Sequence, residues 1–258
     1  MFSYTPPTDF LSGKNILITG ASDGIGKQCA KTFAQFGAKL ILIGRSQEKL
    51  EALFDEIEAD HPDTVYLHPM DFITASADDY SELAHSIDTE FSALDGIIHS
   101  AGLLGARAPI EHYPNSDWSA VIQTNLTAPF MLTKSLLPAL TRATDARLLF
   151  LSSSVGREAR AYWGAYGVSK YAIEGLMQTL ADELENTSSV KVNSLNPGGT
   201  RTNMRRDAYP AEDPNSQPHP EELMPVFLYL FSEESKTICK ATMNCRDFEP
   251  GKYLPPAS

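Results

Sequence analysis

The chain has 258 residues, 42% hydrophobic and 21% charged, with 16 Gly, 17 Pro and 3 Cys, the proportions of a globular protein rather than a disordered or fibrous one. A chain of this length buries roughly 70–75% of the surface its unfolded form exposes, enough for a core without disulfides or a structural metal. A formal charge of −12 repels nucleic-acid phosphate and anionic lipid, so neither is an expected partner.

The first ten residues carry no basic group and no apolar core of a signal peptide, so no secretory leader is expected. No apolar run approaches the roughly 20 residues of a membrane span. Cys29, Cys239 and Cys245 are odd in number and without C-x-x-C spacing, which favours a reducing, cytoplasmic setting. His61, His68, His85, His112 and His219 lack metal-ligand spacing, and no metal is expected.

In chain order, strands are predicted at Asn15–Thr19, Lys39–Ile43, Thr64–His68, Leu94–Ser100, Arg147–Ser152, Val190–Asn196 and Thr242–Phe248. Between them, sets such as Ile25, Cys29, Phe33, Phe36 and Leu50, Leu53, Phe54, Ile57 recur at helical spacing. This alternation predicts an α/β fold with a seven-stranded, mostly parallel sheet covered by helices on both faces. No break in composition marks a second domain. The Pro-rich segment Tyr209–Pro220 reads as a functional loop or lid.

The first strand enters Thr19-Gly20-Ala21-Ser22-Asp23-Gly24-Ile25-Gly26 and then a helix, the context of a glycine-rich dinucleotide loop. Gly20 permits the tight turn, Gly24 lets backbone approach a pyrophosphate, and Gly26 lets helix and strand pack closely, while the exposed amides of Ser22, Asp23 and Ile25 face the anion. The second strand ends Gly44-Arg45-Ser46. No carboxylate stands there to read a free 2′-hydroxyl and a guanidinium can grip a 2′-phosphate, so NADP(H) is favoured, with NAD(H) as the alternative. Asp23 inside the loop opposes this slightly, and Arg45 has Asp23 or Glu48 as alternative partners.

Ser152-Ser153-Ser154 leaves the fifth strand, and Tyr166 and Lys170 share one face of the next helix at i and i+4. Both follow the carboxyl end of a central strand, where open α/β sheets bind ligands. An ammonium about 5 Å from a phenol is worth roughly 3 kcal/mol at an effective dielectric near 20, about two pKa units, which would make Tyr166 useful in acid–base work. Ser153 can hydrogen-bond a substrate oxygen as charge develops on it; the bland reading of these residues is turn capping and a solvated helix start.

The glycine loop, Ser153 thirteen positions before Tyr166, and Lys170 four after it resemble the short-chain dehydrogenase/reductase family along essentially the whole chain, and within it the bacterial YciK-type oxidoreductases. The resemblance implies a single Rossmann-type three-layer αβα domain over 1–258 and NAD(P)(H)-dependent interconversion of a carbonyl and an alcohol. It implies Tyr166 as acid–base, Lys170 on its pKa and on the nicotinamide ribose, Ser153 on the substrate oxygen, and Asn125 completing a tetrad. It also implies cofactor contacts from Asp71, Ala101, Gly102, Pro197, Gly198, Thr200 and Thr202, a substrate loop at about 202–222, and a homodimer or homotetramer built on the helix preceding the fifth strand and the one bearing Tyr166. The family's Asn-Asn-Ala-Gly is here His99-Ser100-Ala101-Gly102, and His99 reads as a packed strand residue. A non-catalytic NADP(H)-binding sensor or scaffold is the reading from another class.

Two further features stand outside that pattern. Pro129 lacks the N–H that would bond the carbonyl of Asn125, so the helix either bends or leaves that oxygen to a water relaying protons to Lys170. Arg107, Arg157, Arg160, Arg201, Arg205 and Arg206 follow strand ends at the expected mouth and form either a funnel for anions or pairs with Glu111, Glu158 and Asp207. Trp163 and Tyr162 are candidates for the pocket lining or for core packing.

Overall fold

The computed structural model describes residues 2–254. The strands are β1 (Asn15–Thr19), β2 (Lys39–Gly44), β3 (Val65–Pro69), β4 (Gly96–His99), β5 (Arg147–Leu151), β6 (Lys191–Asn196) and β7 (Thr242–Asn244). They form one seven-stranded sheet in the order β3-β2-β1-β4-β5-β6-β7, and every adjacent pair is parallel. Strand order reverses direction between β1 and β4, and such a switch point opens a crevice at the carboxyl ends of the two strands.

The helices are α1 (Gly24–Gln35), α2 (Gln47–Glu58), α3 (Ala77–Glu90), α4 (Asn115–Ile122), α5 (Ala128–Thr141), α6 (Gly164–Leu184), α7 (Asn203–Ala208) and α8 (Met224–Leu230). Alternate strand residues point to opposite faces, and both faces are dry. Ile16, Ile18, Leu40, Leu42, Ile98, Leu149 and Leu195 pack with α1, α2 and α8, whereas Leu17, Ile41, Ile43, Ile97, Leu148, Phe150 and Val192 pack with α3, α5 and α6. Burial on both sides is why these strands read as continuous apolar runs, as parallel sheets require. The arrangement is the αβα sandwich expected from the sequence.

Helix starts follow their caps. Asp23 caps α1 through Gly24 N at 2.7 Å, Ser46 caps α2, and Ser76 with Asp79 forms a capping box on α3. Between α4 and α5 the chain makes a π-turn over Gln123–Thr127, with the N–H of Ala128 reaching the carbonyl of Gln123. This is how the helix accommodates Pro129: its register slips by one residue beside the proline.

Two strands, β4 and β7, are shorter than their sequence pattern by more than one residue. β4 stops at His99 because the next two amides leave the ladder, and Ser100 N and Ala101 N both donate to Thr19 Oγ1, at 3.1 and 3.0 Å. β7 stops at Asn244, whose side-chain oxygen accepts from Asn196 and Arg157 instead of extending the sheet. The segment predicted as one loop carries short 3₁₀ turns at Pro214–Ser216 and Pro220–Leu223. His99 is a packed strand residue: its ring stacks on Phe150 with centroids 4.7 Å apart and its Nε2 lies 2.9 Å from Thr133 Oγ1.

An ion pair with a buried carboxylate ties three elements together. Glu174 on α6 accepts from Arg157 Nε at 3.0 Å and from Ser194 Oγ of β6 at 2.5 Å, and Arg157 also donates to Asn244 Oδ1 and Met243 O of β7. Removing one partner of such a pair strands the other. Glu174→Ala is therefore expected to cost about 2–3 kcal/mol in urea unfolding, and Arg157→Met added to Glu174→Leu to recover part of it. Burial lowers the His99 pKa to about 3, well below its unfolded value. The unfolded chain then binds the extra proton at mildly acidic pH, so stability falls as pH drops below about 6.5. Melting temperatures from pH 7 to 4 should fall less steeply for His99→Gln than for the wild type.

Candidate active site

At the switch point lies a cleft of about 460 Å³. Its wall contains Gly20, Ser22, Asp23, Gly24, Ile25, Arg45, Asp71, Ala101, Gly102, Tyr166, Lys170, Pro197 and Thr202, which the sequence had placed on six separate segments. Gly26, Asn125, Ser153, Gly198 and Thr200 stand behind or beside that wall.

The glycine loop is built by close approach. Gly20 has φ +66°, and a Cβ there would come within 2.8 Å of the Ala101 backbone; a Cβ at Gly26 would come within 2.3 Å of the Gly20 carbonyl oxygen. Strand, loop and helix can close into one anion-facing turn only with both positions bare. Asp23 is used structurally: one oxygen caps α1 and the other accepts from Asn203 Nδ2 at 2.7 Å. It does not pair with Arg45. Arg45 forms no ion pair among the described residues and is exposed at the end of β2. Lys49, four residues on, lines the same end of the cleft. That lysine was missed in the sequence; it stands in the first turn of α2, just past the Ser46 cap.

At the other end, Tyr166 and Lys170 are both buried. Lys170 Nζ donates to the Leu151 carbonyl at 2.7 Å and lies 5.6 Å from the centre of the Tyr166 ring. Burial lowers the Lys170 pKa to about 8, with the Glu174 carboxylate acting against it. The Tyr166 phenol moves opposite to the expectation from sequence: burial raises its pKa, and hydrogen bonding with the Ser153 side chain only partly offsets this. Desolvation of the phenolate outweighs the neighbouring ammonium in the free protein.

Asn125 sits in the π-turn and its side chain clamps the segment after Gly102. Its Oδ1 accepts from Leu103 N at 2.7 Å, and its Nδ2 donates to Leu103 O and to Ser169 Oγ. Gly198 N is held by Asn196 Oδ1 at 3.0 Å, and buried Thr200 donates to the Gly198 carbonyl. Two wall residues missed in the sequence, Thr124 and Ser152, are buried with hydroxyls that have no partner among the described residues. Each adjoins a residue the sequence did single out. Orphaned hydroxyls in a cleft wall call for a polar ligand, and with the glycine turn, Arg45 and Lys49 they fit a phosphorylated dinucleotide.

The arginines do not form a broad funnel: two of the six pair with carboxylates other than those anticipated and one lies beside the anticipated Asp207. Arg157 pairs with Glu174 and Arg205 with Glu212; Arg206 lies 3.8 Å from Asp207. Arg201 contacts Pro214 O and His219. Of the two readings of Trp163 the structure gives core packing: it is buried in a small apolar cluster with its ring 5.5 Å from that of Tyr166, whereas Tyr162 is exposed. No group of three or more His, Cys, Asp or Glu among the described residues is placed to hold a metal.

Residues 14–213 match the family model described as short chain dehydrogenase. The uncharacterised oxidoreductase YciK of Escherichia coli K12 is 43% identical over 249 residues, covering 96% of this chain and 97% of that protein. The solved structure of a short chain dehydrogenase from Pseudomonas syringae superposes with a TM-score of 0.92 at 46% identity, covering 95% of this chain and 99% of that one. A short chain dehydrogenase from Escherichia coli CFT073, solved in complex with NADPH, superposes with a TM-score of 0.91 at 43% identity over 93% of this chain and all of that one. Sheet order, glycine turn and sequence agree, and the chain belongs to the short-chain dehydrogenase/reductase family of oxidoreductases.

Proposed function

We propose that this enzyme uses NADP(H) to interconvert a carbonyl compound and the corresponding alcohol, with Tyr166 giving and taking the proton. What carries the proposal is a single cleft in which a glycine turn and two cations without carboxylate partners among the described residues lie at one end and a buried Tyr–Lys pair at the other. The complex of a 43% identical relative with NADPH supports the cofactor. NADPH, when bound, supplies the hydride.

The protein's own groups do the rest. The amides around Ser22–Ile25 and the start of α1 receive the pyrophosphate, and Arg45 and Lys49 take the 2′-phosphate as a forked and a point cation. Asp71 faces the adenine side; Ala101, Gly102, Pro197, Gly198, Thr200 and Thr202 shape the channel toward the nicotinamide. Ser153 donates to the substrate oxygen, and Tyr166 protonates it as negative charge develops. A raised phenol pKa keeps that proton in place at neutral pH, which suits reduction. Lys170 holds the ribose side and restores the proton. Asn125 acts by fixing Leu103 and hence the wall opposite Tyr166.

No helix among the described residues is long and apolar enough to cross a membrane, and the setting we propose is cytoplasmic. Trp118, Phe130, Val168 and Tyr171 are exposed apolar residues on α4, α5 and α6. They support a homodimer or homotetramer through these helices.

Tyr166→Phe is expected to lower turnover by about 10²–10⁴-fold while calorimetry still finds NADPH binding. NADPH bound tightly but never consumed across ketones, aldehydes, acyl thioesters and sugars would make the protein a sensor. Arg45→Ala and Lys49→Ala should each weaken NADPH by roughly tenfold and leave NADH unchanged; equal losses for both nucleotides would favour NAD(H). Because reduction consumes the Tyr166 proton, kcat for reduction should stay flat through neutrality and decline above about 8, where Lys170 loses its charge. Alcohol oxidation should rise over the same interval.

A further inference from the structure

Beside Tyr166 the chain builds a ladder of alternating rings and guanidinium groups. Arg107, from the segment after β4, has its Cζ 4.2 Å from the centre of the Trp163 ring and 5.4 Å from that of Tyr209. Arg205 stacks on Tyr209 at 3.8 Å. Trp163 and Tyr209 are 6.0 Å apart. The two arginines share a stacking partner but not a charge environment. Arg205 is neutralised by two hydrogen bonds of 2.6 Å to the Glu212 carboxylate, and Glu212 is itself held by Gln217. Arg107 has one protein acceptor, the Ala208 carbonyl at 2.8 Å, and no ion pair among the described residues.

A guanidinium stacked on a ring keeps its in-plane N–H groups for a planar acceptor. The Ala208 bond uses one of five donors, and no carboxylate among the described residues meets the others. Trp163 lies 5.5 Å from the Tyr166 ring, so the Arg107 charge sits within about 10 Å of the Tyr166 ring centre. The nearby wall is apolar, formed by Leu103, Leu104 and Met204. A short oxo acid spans such a distance, its carbonyl at the phenol and its carboxylate at the guanidinium.

We propose that Arg107, exposed and stacked on the Trp163 ring that packs against Tyr166, is the carboxylate-binding group of the substrate subsite, and that the substrate is an oxo acid or the matching hydroxy acid. The substrate's carboxylate does for Arg107 what Glu212 does for Arg205. The inference rests on the reductase reading of the cleft and adds a substrate class to it. It also assigns Arg205, Glu212 and Tyr209 a positioning role, since they hold the far side of the Arg107 stack.

The test compares 4-oxopentanoate and 5-oxohexanoate with their methyl esters as substrates for NADPH oxidation. The wild type should favour an acid over its ester by about tenfold or more in kcat/KM, chiefly through KM, and sodium chloride should erode the acid rate far more than the ester rate. In Arg107→Met the acid-to-ester ratio should collapse toward one, while Arg107→Lys, charged but unable to offer a planar fork, should keep part of it. A wild-type ratio at or below one, a flat salt response for the acids, or a ratio that survives Arg107→Met would each overturn the proposal. If no probe is reduced, quenching of tryptophan emission by the acids with NADP⁺ present is the second measurement. Acid binding lost in Arg107→Met would keep the subsite and sink the reductase reading; no binding by either acid would sink the subsite.

Discussion

The burial of one ammonium organises the site. Lys170 has its charge inside the protein, ended on the Leu151 carbonyl at the tip of β5, and a charge so placed is tolerated only where hydrogen bonds and a counter-charge hold it. The counter-charge is Glu174, one helical turn further along α6 and itself buried. Glu174 is in turn fixed by Arg157, from the turn that follows Ser153, and by Ser194 on β6. Three elements are thereby locked to one another by charge as well as by packing: the turn carrying Ser153, the helix carrying Tyr166 and Lys170, and the strand end leading to the Asn196–Gly198 loop. Displacing any one of them would strand a buried ion.

The same desolvation governs the phenol. On spacing alone, an ammonium one turn away acidifies Tyr166; in the folded chain the ring is as deeply buried as the lysine, and the cost of an isolated phenolate in that environment is the larger effect. Lys170 also directs its Nζ at a carbonyl rather than at the phenol oxygen. Both groups are therefore pushed toward their neutral forms, the phenol upward and the ammonium down to about 8. The free protein thus keeps the phenol protonated, which in the proposed reaction suits a donor to a carbonyl oxygen acquiring negative charge.

Much of this was legible in the sequence wherever the information is local. Apolar runs bounded by helical periods located every strand of the sheet, and the glycine loop, the Arg45 position and the Tyr166–Lys170 spacing were visible because each is a pattern within a few residues. Strand ends were less legible. β4 ends early because Thr19, from a neighbouring strand, captures two amides, and β7 because Asn196 and Arg157 capture the Asn244 side chain. Partners were least legible of all: nothing near Arg157 in the chain points to Glu174 rather than Glu158, and nothing near Arg205 points to Glu212 rather than Asp207. Geometry across the fold decides such choices, and a single sequence does not carry it.

That pairing also resolves an apparent conflict between the acidic chain and an anionic cofactor. A net charge of −12 acts from the surface and is screened beyond about 8 Å at physiological ionic strength. Inside the cleft only near neighbours count, and there the chain has matched some cations with carboxylates and left others unmatched. Arg157 and Arg205 are neutralised within the protein and serve its architecture. Arg45 and Lys49 at one end, and Arg107 beside the other, retain donors for something outside the protein. On the proposed reading, the distribution of unmatched cations rather than the overall charge selects where anions bind, the cofactor phosphate at Arg45 and Lys49 and a substrate carboxylate at Arg107.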